Sequence, residues 1–163
     1  MGIRVAINGF GRIGRAVMRA SLSYRDIEIV AINDLAPAPM LHYLLSKDSV
    51  HGPFGAQLQL LENGLEVAGR PVAVLNETKP GEVDFSPYDT DVVLECTGRF
   101  LTTPEVAHHL AKGVKKVIIS APATDETPTY VLGVNASFYQ GEAIISNASC
   151  TTNCLAPLAK IID

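Results

Sequence analysis

Residues 3–14 read Ile3-Arg4-Val5-Ala6-Ile7-Asn8-Gly9-Phe10-Gly11-Arg12-Ile13-Gly14, an apolar run followed at once by G-x-G-x-x-G. The run has the composition of a buried strand. The glycines then open a helix whose expected inner face is Ile13, Ala16, Val17, Ala20 and Ser21. In a unit of strand, G-x-G-x-x-G and helix, Gly9 permits the tight turn and Gly11 lets the backbone approach a pyrophosphate. Gly14 allows helix to pack closely on sheet, and the phosphates rest at the helix N-terminus. A second strand, Ile27 to Asn33, ends at Asp34, about twenty residues past the last glycine, where an acid holds ribose hydroxyls. A carboxylate there accepts from free 2′- and 3′-hydroxyls and repels a 2′-phosphate, so the expected cofactor is NAD and not NADP.

Strand and helix patterns alternate along the rest of the chain. Met40 to Lys47 reads as a helix with Met40, Leu41, Leu44 and Leu45 inward, after a loop kept out of helix by Pro37 and Pro39. Leu58, Leu60, Leu65, Val67, Val72 and Val74 then alternate, with turns at Asn63-Gly64 and Gly69-Arg70-Pro71. This spacing predicts a small antiparallel excursion near residues 56–75, with irregular loops as the alternative. Val92 to Cys96 resumes the buried-strand pattern. Thr103 caps a helix with Pro104 at its first position and Val106, Ala107, Leu110 and Ala111 inward, and Gly113 ends it. Val117 to Ile119 and Ala143 to Ser146 complete the strands. The pattern predicts one domain over residues 1–163, a doubly wound, mostly parallel Rossmann-type α/β sheet. Thr97, Gly98 and Ser120 follow the carboxyl ends of strands, where ligands lie in such sheets.

The second chemistry-bearing stretch is Ser146-Asn147-Ala148-Ser149-Cys150-Thr151-Thr152-Asn153-Cys154-Leu155-Ala156-Pro157. It follows a strand and leads into an apolar helical stripe of Leu155, Leu158, Ile161 and Ile162. Cys150 thus falls at a helix start, where unpaired N–H groups favour thiolate and thiol pKa values drop from ~8.5 to as low as ~3.5. Cys150 is either a nucleophile toward carbonyl carbon or a buried structural cysteine. Ser149 is suited to cap the helix.

Composition narrows the function classes. At 163 residues, with 47% hydrophobic and 18% charged residues, the chain is long enough for a core and too apolar for disorder. A net charge of −4 without a basic tract gives no footprint for nucleic acid or an anionic membrane. No apolar run is long enough to span a bilayer and no signal peptide is read at the N-terminus, which predicts a cytoplasmic protein. The cysteine count of 3 does not form a disulfide framework and suits a reducing compartment. Cys150 and Cys154 have no nearby zinc-site partners, so no metal is expected. His42, in a helix, His51, in a loop, and His108 and His109, near the exposed side of a helix, read as packing or solvated residues.

Asn8 to Gly14, Asn33-Asp34-Leu35, Asp48-Ser49-Val50-His51-Gly52, Cys96-Thr97-Gly98, Ser120-Ala121-Pro122 and Ser149 to Asn153 occur in this order. Together they resemble the phosphorylating glyceraldehyde-3-phosphate dehydrogenases, over nearly the whole chain. The resemblance implies the N-terminal NAD-binding portion of a subunit about twice as long. It implies a cofactor site of Asn8, Gly9, Gly11, Arg12, Ile13, Asp34, Thr78, Thr97, Gly98 and Ser120. Thr78 stands where the family often has arginine, so only a backbone contact to adenine carries over. Cys150 is implied as the catalytic nucleophile, with Ser149 and Thr151 facing the substrate and Cys154 as a non-catalytic neighbour. The implied reaction oxidises glyceraldehyde 3-phosphate with NAD and inorganic phosphate to 1,3-bisphosphoglycerate, in a homotetramer. The family's catalytic histidine and most phosphate ligands are expected beyond Asp163, so residues 1–163 alone are expected to bind nucleotide without turnover. Erythrose-4-phosphate dehydrogenase shares these segments. A cofactor-binding module without activity, or a purely structural Rossmann-like protein, would share the fold.

Overall fold

The computed structural model describes residues 2–162. In chain order the elements are β1 (Ile3–Asn8), α1 (Arg12–Ser21), β2 (Ile27–Asn33), α2 (Ala38–Ser46), β3 (Lys47–Asp48), β4 (Gly52–Pro53), β5 (Leu58–Leu61), β6 (Gly64–Val67), β7 (Arg70–Leu75) and β8 (Val92–Glu95). They continue with α3 (Thr103–Val106), α4 (His108–Ala111), β9 (Lys116–Ile119), β10 (Ile144–Ser146) and α5 (Cys150–Ile162). The main sheet has 8 strands in the order β10-β9-β8-β1-β2-β7-β6-β5. From β10 to β7 every pairing is parallel, and β6 and β5 are added antiparallel. The order reverses between β1 and β8, so the crevice above their carboxyl ends is the switch point at which doubly wound sheets bind ligands.

Both faces of the sheet are covered. Val5 and Ile7 of β1 join Met18, Leu41 and Leu45 of α1 and α2 on one side, while Ala6 joins Val93, Val106, Val117 and Ile119 on the other. β2 breaks this alternation. Val5 pairs with Ile29 but Ala6 pairs with Ala31, so the register shifts there and the successive residues Val30 and Ala31 share one core.

The excursion is antiparallel as the alternation predicts, but its last strand returns to pair with β2 in parallel. Arg70 and Pro71 belong to β7, and the turn is made by Ala68 and Gly69, with φ of 52° and 77°. Positive φ at both central residues is what a type I′ two-residue hairpin requires.

Several helix details differ from the sequence reading. α1 turns Gly14, Met18 and Ser21 inward, and Ile13 is 52% exposed, because Gly14 is the point of closest approach: a Cβ there would lie 2.3 Å from the Gly9 carbonyl oxygen. α2 begins before Pro39, which sits in its first turn, where no N–H is needed, and Met40 faces outward. Thr102, not Thr103, caps α3, in a capping box with Glu105. His109 does not lie near the exposed side of its helix: it is a packing residue, buried at 1% exposure and stacked on Phe85 at 5.6 Å. Burial, with His108 and Lys112 nearby, lowers its pKa to about 3. The stripe on α5 forms but is uncovered: Leu155, Leu158, Ile161 and Ile162 are all exposed.

Candidate functional site

The carboxyl edge of the parallel sheet gathers the candidate residues. A cleft of about 230 Å³ opens there, lined by Asn8, Gly9, Gly11, Asp34, Thr78 and Thr97 among the predicted residues. Arg12 and Ile13 flank it at the start of α1, while Gly98 and Ser120 are not part of its wall. Ser149, Cys150 and Thr151 lie outside it, at the carboxyl end of β10. Between β1 and β10 stand β8 and β9, so the thiol is separated from the glycine loop by three strand spacings, ~14 Å.

The glycine loop is shaped for an anion. Gly9 has φ 92° and its Cβ position lies 2.6 Å from the Thr97 nitrogen, so the loop packs directly on the end of β8. Gly11 is the N-cap of α1 and supplies no side-chain cap, and the first turn carries no acid. A Cβ on Gly11 would meet nothing within 4 Å, so there is room for a phosphate at this helix start. Across the cleft, Asp34 Oδ2 accepts from the Phe10 N–H at 2.7 Å and Oδ1 from the Ala36 N–H at 2.9 Å. A carboxylate has about four lone-pair sites, so each oxygen retains capacity for a hydroxyl. An anion cradle and a free acceptor pair on one cleft fit a dinucleotide.

Beneath the cleft runs a buried polar chain that the sequence reading misses. Glu95 is 1% exposed and its Oε1 accepts from both the N–H and the hydroxyl of Thr97. Its Oε2 accepts from Asn8 Nδ2 at 2.6 Å. Asn8 Oδ1 in turn accepts from Asn33 Nδ2 at 2.8 Å, and Asn33 bonds both the N–H and the C=O of Glu77. Burial raises the Glu95 pKa above the ordinary carboxylate range, against the lowering effect of these donors. Two predicted contacts change character. The Asn8 side chain is engaged below the cleft, and the Thr97 hydroxyl donates to Glu95 and accepts from the Arg99 N–H, so toward a ligand it is an acceptor only. Two signals in the sequence point here: Val-Ala-Ile-Asn ends both β1 and β2, and Glu95 interrupts an apolar strand. Lys79 and Arg99 also line the cleft, and no motif in the sequence marks them.

Cys150 is the first residue of α5 and is exposed. The turn before it is tight. Ser146 Oγ donates to the Ala121 carbonyl and accepts from the Ala148 N–H, and buried Ala148 is held at φ 58°. A non-glycine residue in the left-handed region stores strain, and here it swings the chain from strand to helix in three residues, Asn147 to Ser149. Ser149 caps α5, its Oγ accepting from the Thr152 N–H at 2.9 Å, and it also bonds the hydroxyls of Thr151 and Thr152. The sulfur therefore projects at a helix start above the same sheet edge as the cleft. Cys96, beside the cleft, has its thiol pushed up to about 11 by burial. All 3 cysteines are free. Among the described residues no cluster of His, Cys, Asp and Glu could hold a metal ion, and no helix is long and apolar enough to cross a membrane.

Comparison with known proteins agrees with this geometry. The family model described as glyceraldehyde 3-phosphate dehydrogenase, NAD binding domain, matches residues 3–103. The cytosolic glyceraldehyde-3-phosphate dehydrogenase of Trypanosoma brucei brucei is 50% identical over 163 residues, covering 100% of this chain and 49% of that protein. Glyceraldehyde-3-phosphate dehydrogenase A of Escherichia coli K12 is 48% identical over the same 163 residues, again 49% of its length. The enzyme of Bacteroides fragilis is 50% identical over 163 residues, covering 99% of this chain and 49% of its own. The chain spans about half the length of the curated relatives it matches.

Proposed function

Since the chain belongs to the glyceraldehyde-3-phosphate dehydrogenase family and carries its NAD-binding domain, we propose that residues 1–163 form one domain that binds NAD along the sheet edge and presents Cys150 as the nucleophile. The observation that carries this reading is Cys150 at the start of α5, on the same carboxyl edge as the cleft. NAD is the cofactor of the matched domain. Gly9, Gly11, Arg12 and Ile13 would hold its pyrophosphate, Asp34 a ribose, and Thr78 and Thr97 the walls around them. Ser120, at the end of β9, would meet it between the cleft and Cys150. Bound NAD supplies a hydride acceptor for the aldehyde's oxidation.

The chain's own residues supply the covalent half of the chemistry. Cys150 Sγ bonds the aldehyde carbon of glyceraldehyde 3-phosphate and afterwards holds the acyl group as a thioester, still activated for displacement by inorganic phosphate. The product is then an acyl phosphate, 1,3-bisphosphoglycerate. The N–H groups at the start of α5 stabilise negative charge on the former carbonyl oxygen. Ser149 and Thr151 face this position, although the hydroxyl of Ser149 is first of all the helix cap. Among the described residues His109 is buried against Phe85 and the His108 ring lies tilted against it, which removes both from any role as base at Cys150. The base and most of the phosphate site belong, in this reading, to a further part of the protein, which would also cover the apolar face of α5. A cytosolic location, as in the name of the trypanosomal relative, and a homotetramer complete the proposal.

The test is calorimetry and turnover on purified residues 1–163. NAD should bind, while NADH production from glyceraldehyde 3-phosphate and phosphate should stay at background, since losing acid and base help alone costs ~10²- to 10⁴-fold. Absence of NAD binding would refute the domain assignment. Steady NADH formation that needs both phosphate and Cys150 would refute the incompleteness of the site.

A further inference from the structure

The hydrogen-bond chain under the cleft has a direction, and that direction is set from both ends. At one end the Glu77 backbone presents an N–H to Asn33 Oδ1 at 2.8 Å and a C=O to Asn33 Nδ2 at 3.1 Å. A peptide group cannot exchange donor for acceptor, so the Asn33 amide has one permitted orientation. Its Nδ2 therefore donates to Asn8, which must offer Oδ1 and turn Nδ2 toward Glu95. At the other end Glu95 receives that donor on Oε2 and two more, from Thr97, on Oε1. Only a group that accepts on both atoms satisfies this arrangement, which a carboxyl does and a side-chain amide does not.

We propose that Glu95, which does not touch the nucleotide, is the positioning residue that fixes the adenine-side wall of the NAD cleft, transmitting its acceptor polarity through Asn8 and Asn33 to the backbone of Glu77. The proposal rests on the assignment of this cleft to NAD. The chain joins the ends of three adjacent parallel strands, β8, β1 and β2, to the segment after β7, where Glu77, Thr78 and Lys79 line the cleft. It also fixes the Thr97 hydroxyl as an acceptor toward the ligand. An amide at position 95 puts N–H₂ against N–H₂ at Asn8. Rotating Asn8 moves the mismatch to Asn33, and rotating Asn33 moves it to Glu77, which cannot yield. The mismatch must then open one link, and each link lies below the nucleotide.

The same logic gives a rescue. When Glu95→Gln is combined with Asn8→Asp, the new amide at position 95 accepts from Thr97 on its oxygen and donates to the new carboxylate at position 8. That carboxylate still accepts from Asn33, so only the bond between positions 8 and 95 reverses, and every other link keeps its direction. Glu95→Gln and the double variant of the full chain are compared by titration calorimetry with NAD and ADP-ribose, and by hydrogen exchange at the Glu77 amide. Glu95→Gln should weaken both ligands at least about tenfold and speed exchange at Glu77, as one mismatched buried polar group would. The double variant should return to within about threefold of the unmodified chain. A double variant as weak as Glu95→Gln, or a Glu95→Gln protein with unchanged affinity and unchanged exchange, overturns the proposal. If Glu95→Gln does not fold, a folded, NAD-binding double variant supports the proposal and an unfolded one overturns it. If the unmodified chain binds no NAD, the cleft assignment fails, and exchange at Glu77 still decides whether polarity holds the wall.

Discussion

In the proposed site Asp34 has two tasks, and replacing it should separate them. Its carboxylate holds the Phe10 N–H in the glycine loop and the Ala36 N–H beyond β2, and it keeps one lone-pair site per oxygen for ribose hydroxyls. A 2′-phosphate would bring about two negative charges against it. At ~4 Å each pair of unit charges costs ~1 kcal/mol even at the dielectric constant of water, so the repulsion is at least ~2 kcal/mol, about thirtyfold in affinity. NADP is therefore expected to bind at least about tenfold more weakly than NAD. Asp34→Ala removes the repulsion, but it also strips two N–H groups of their acceptor, each worth ~1–3 kcal/mol where water cannot replace it. The preference should narrow while NAD affinity itself falls by about tenfold or more. Asp34→Asn keeps one acceptor and should fall between. Calorimetric titration of the three proteins with both nucleotides measures this. Equal affinities in the unmodified chain, or an Asp34→Ala protein that binds NAD as well as before, would show that Asp34 neither reads the ribose nor holds the loop.

Iodoacetamide at low excess should modify Cys150 before the other thiols, since Cys96 is pushed up to about 11 and Cys154 lies beyond the first turn of α5; peptide mass spectrometry finding Cys96 or Cys154 first would contradict this. His109, with its pKa lowered from 6.5 to about 3, stabilises the fold fully above pH 6.5 and progressively less as pH falls toward 3. Its share of the loss between pH 7 and pH 5 is about 2 kcal/mol, so urea unfolding of His109→Phe should show a smaller acid loss by that amount, and an identical loss in both proteins would refute the burial argument. Ile161 and Ile162 are 81% and 87% exposed, so changing both to lysine should alter the stability of residues 1–163 by no more than about 0.5 kcal/mol each and reduce self-association in sedimentation. A much larger destabilisation would mean that this face of α5 is covered within the segment itself.

The sheet and its switch point are legible in the sequence because the apolar runs are short, β-rich and punctuated by glycine, and because G-x-G-x-x-G fixes which end of β1 faces the ligand. Helix faces are less legible. Spacing assigns Ile13 inward, whereas Gly14, which has no side chain to count as apolar, makes the closest contact with the sheet. His109 reads as lying near the exposed side of its helix, as a packing or solvated residue, and it is the packing reading that holds, with the ring buried against Phe85. The cleft's floor escapes the sequence for a related reason: Asn33, Glu77 and Glu95 come from three separate segments, and only the strand order brings them together.

The two ends of the sheet edge are fixed by different means, and this bears on how the site operates. At the nucleotide end, a buried carboxylate and two asparagines with nearly all their polar atoms engaged cross-link three strands and a loop, so the cleft is preformed and little ordering remains when the cofactor binds. At the thiol end, the supports are a serine cap, a strained Ala148 and bonds from Ser146 and Asn153, on a helix whose apolar face is open. Pro157 inside that helix also leaves the Asn153 carbonyl without its usual donor. In the proposed site the cleft is thus held by the sheet, whereas Cys150 rests on a helix whose apolar face is open. Substitutions along the Glu95 chain should therefore register first in NAD affinity, and coverage of Leu155, Leu158, Ile161 and Ile162 should register in the reactivity of Cys150 with little effect on NAD. This separation follows from the strand order, which sets the glycine loop over the middle of the sheet and Cys150 at its β10 end.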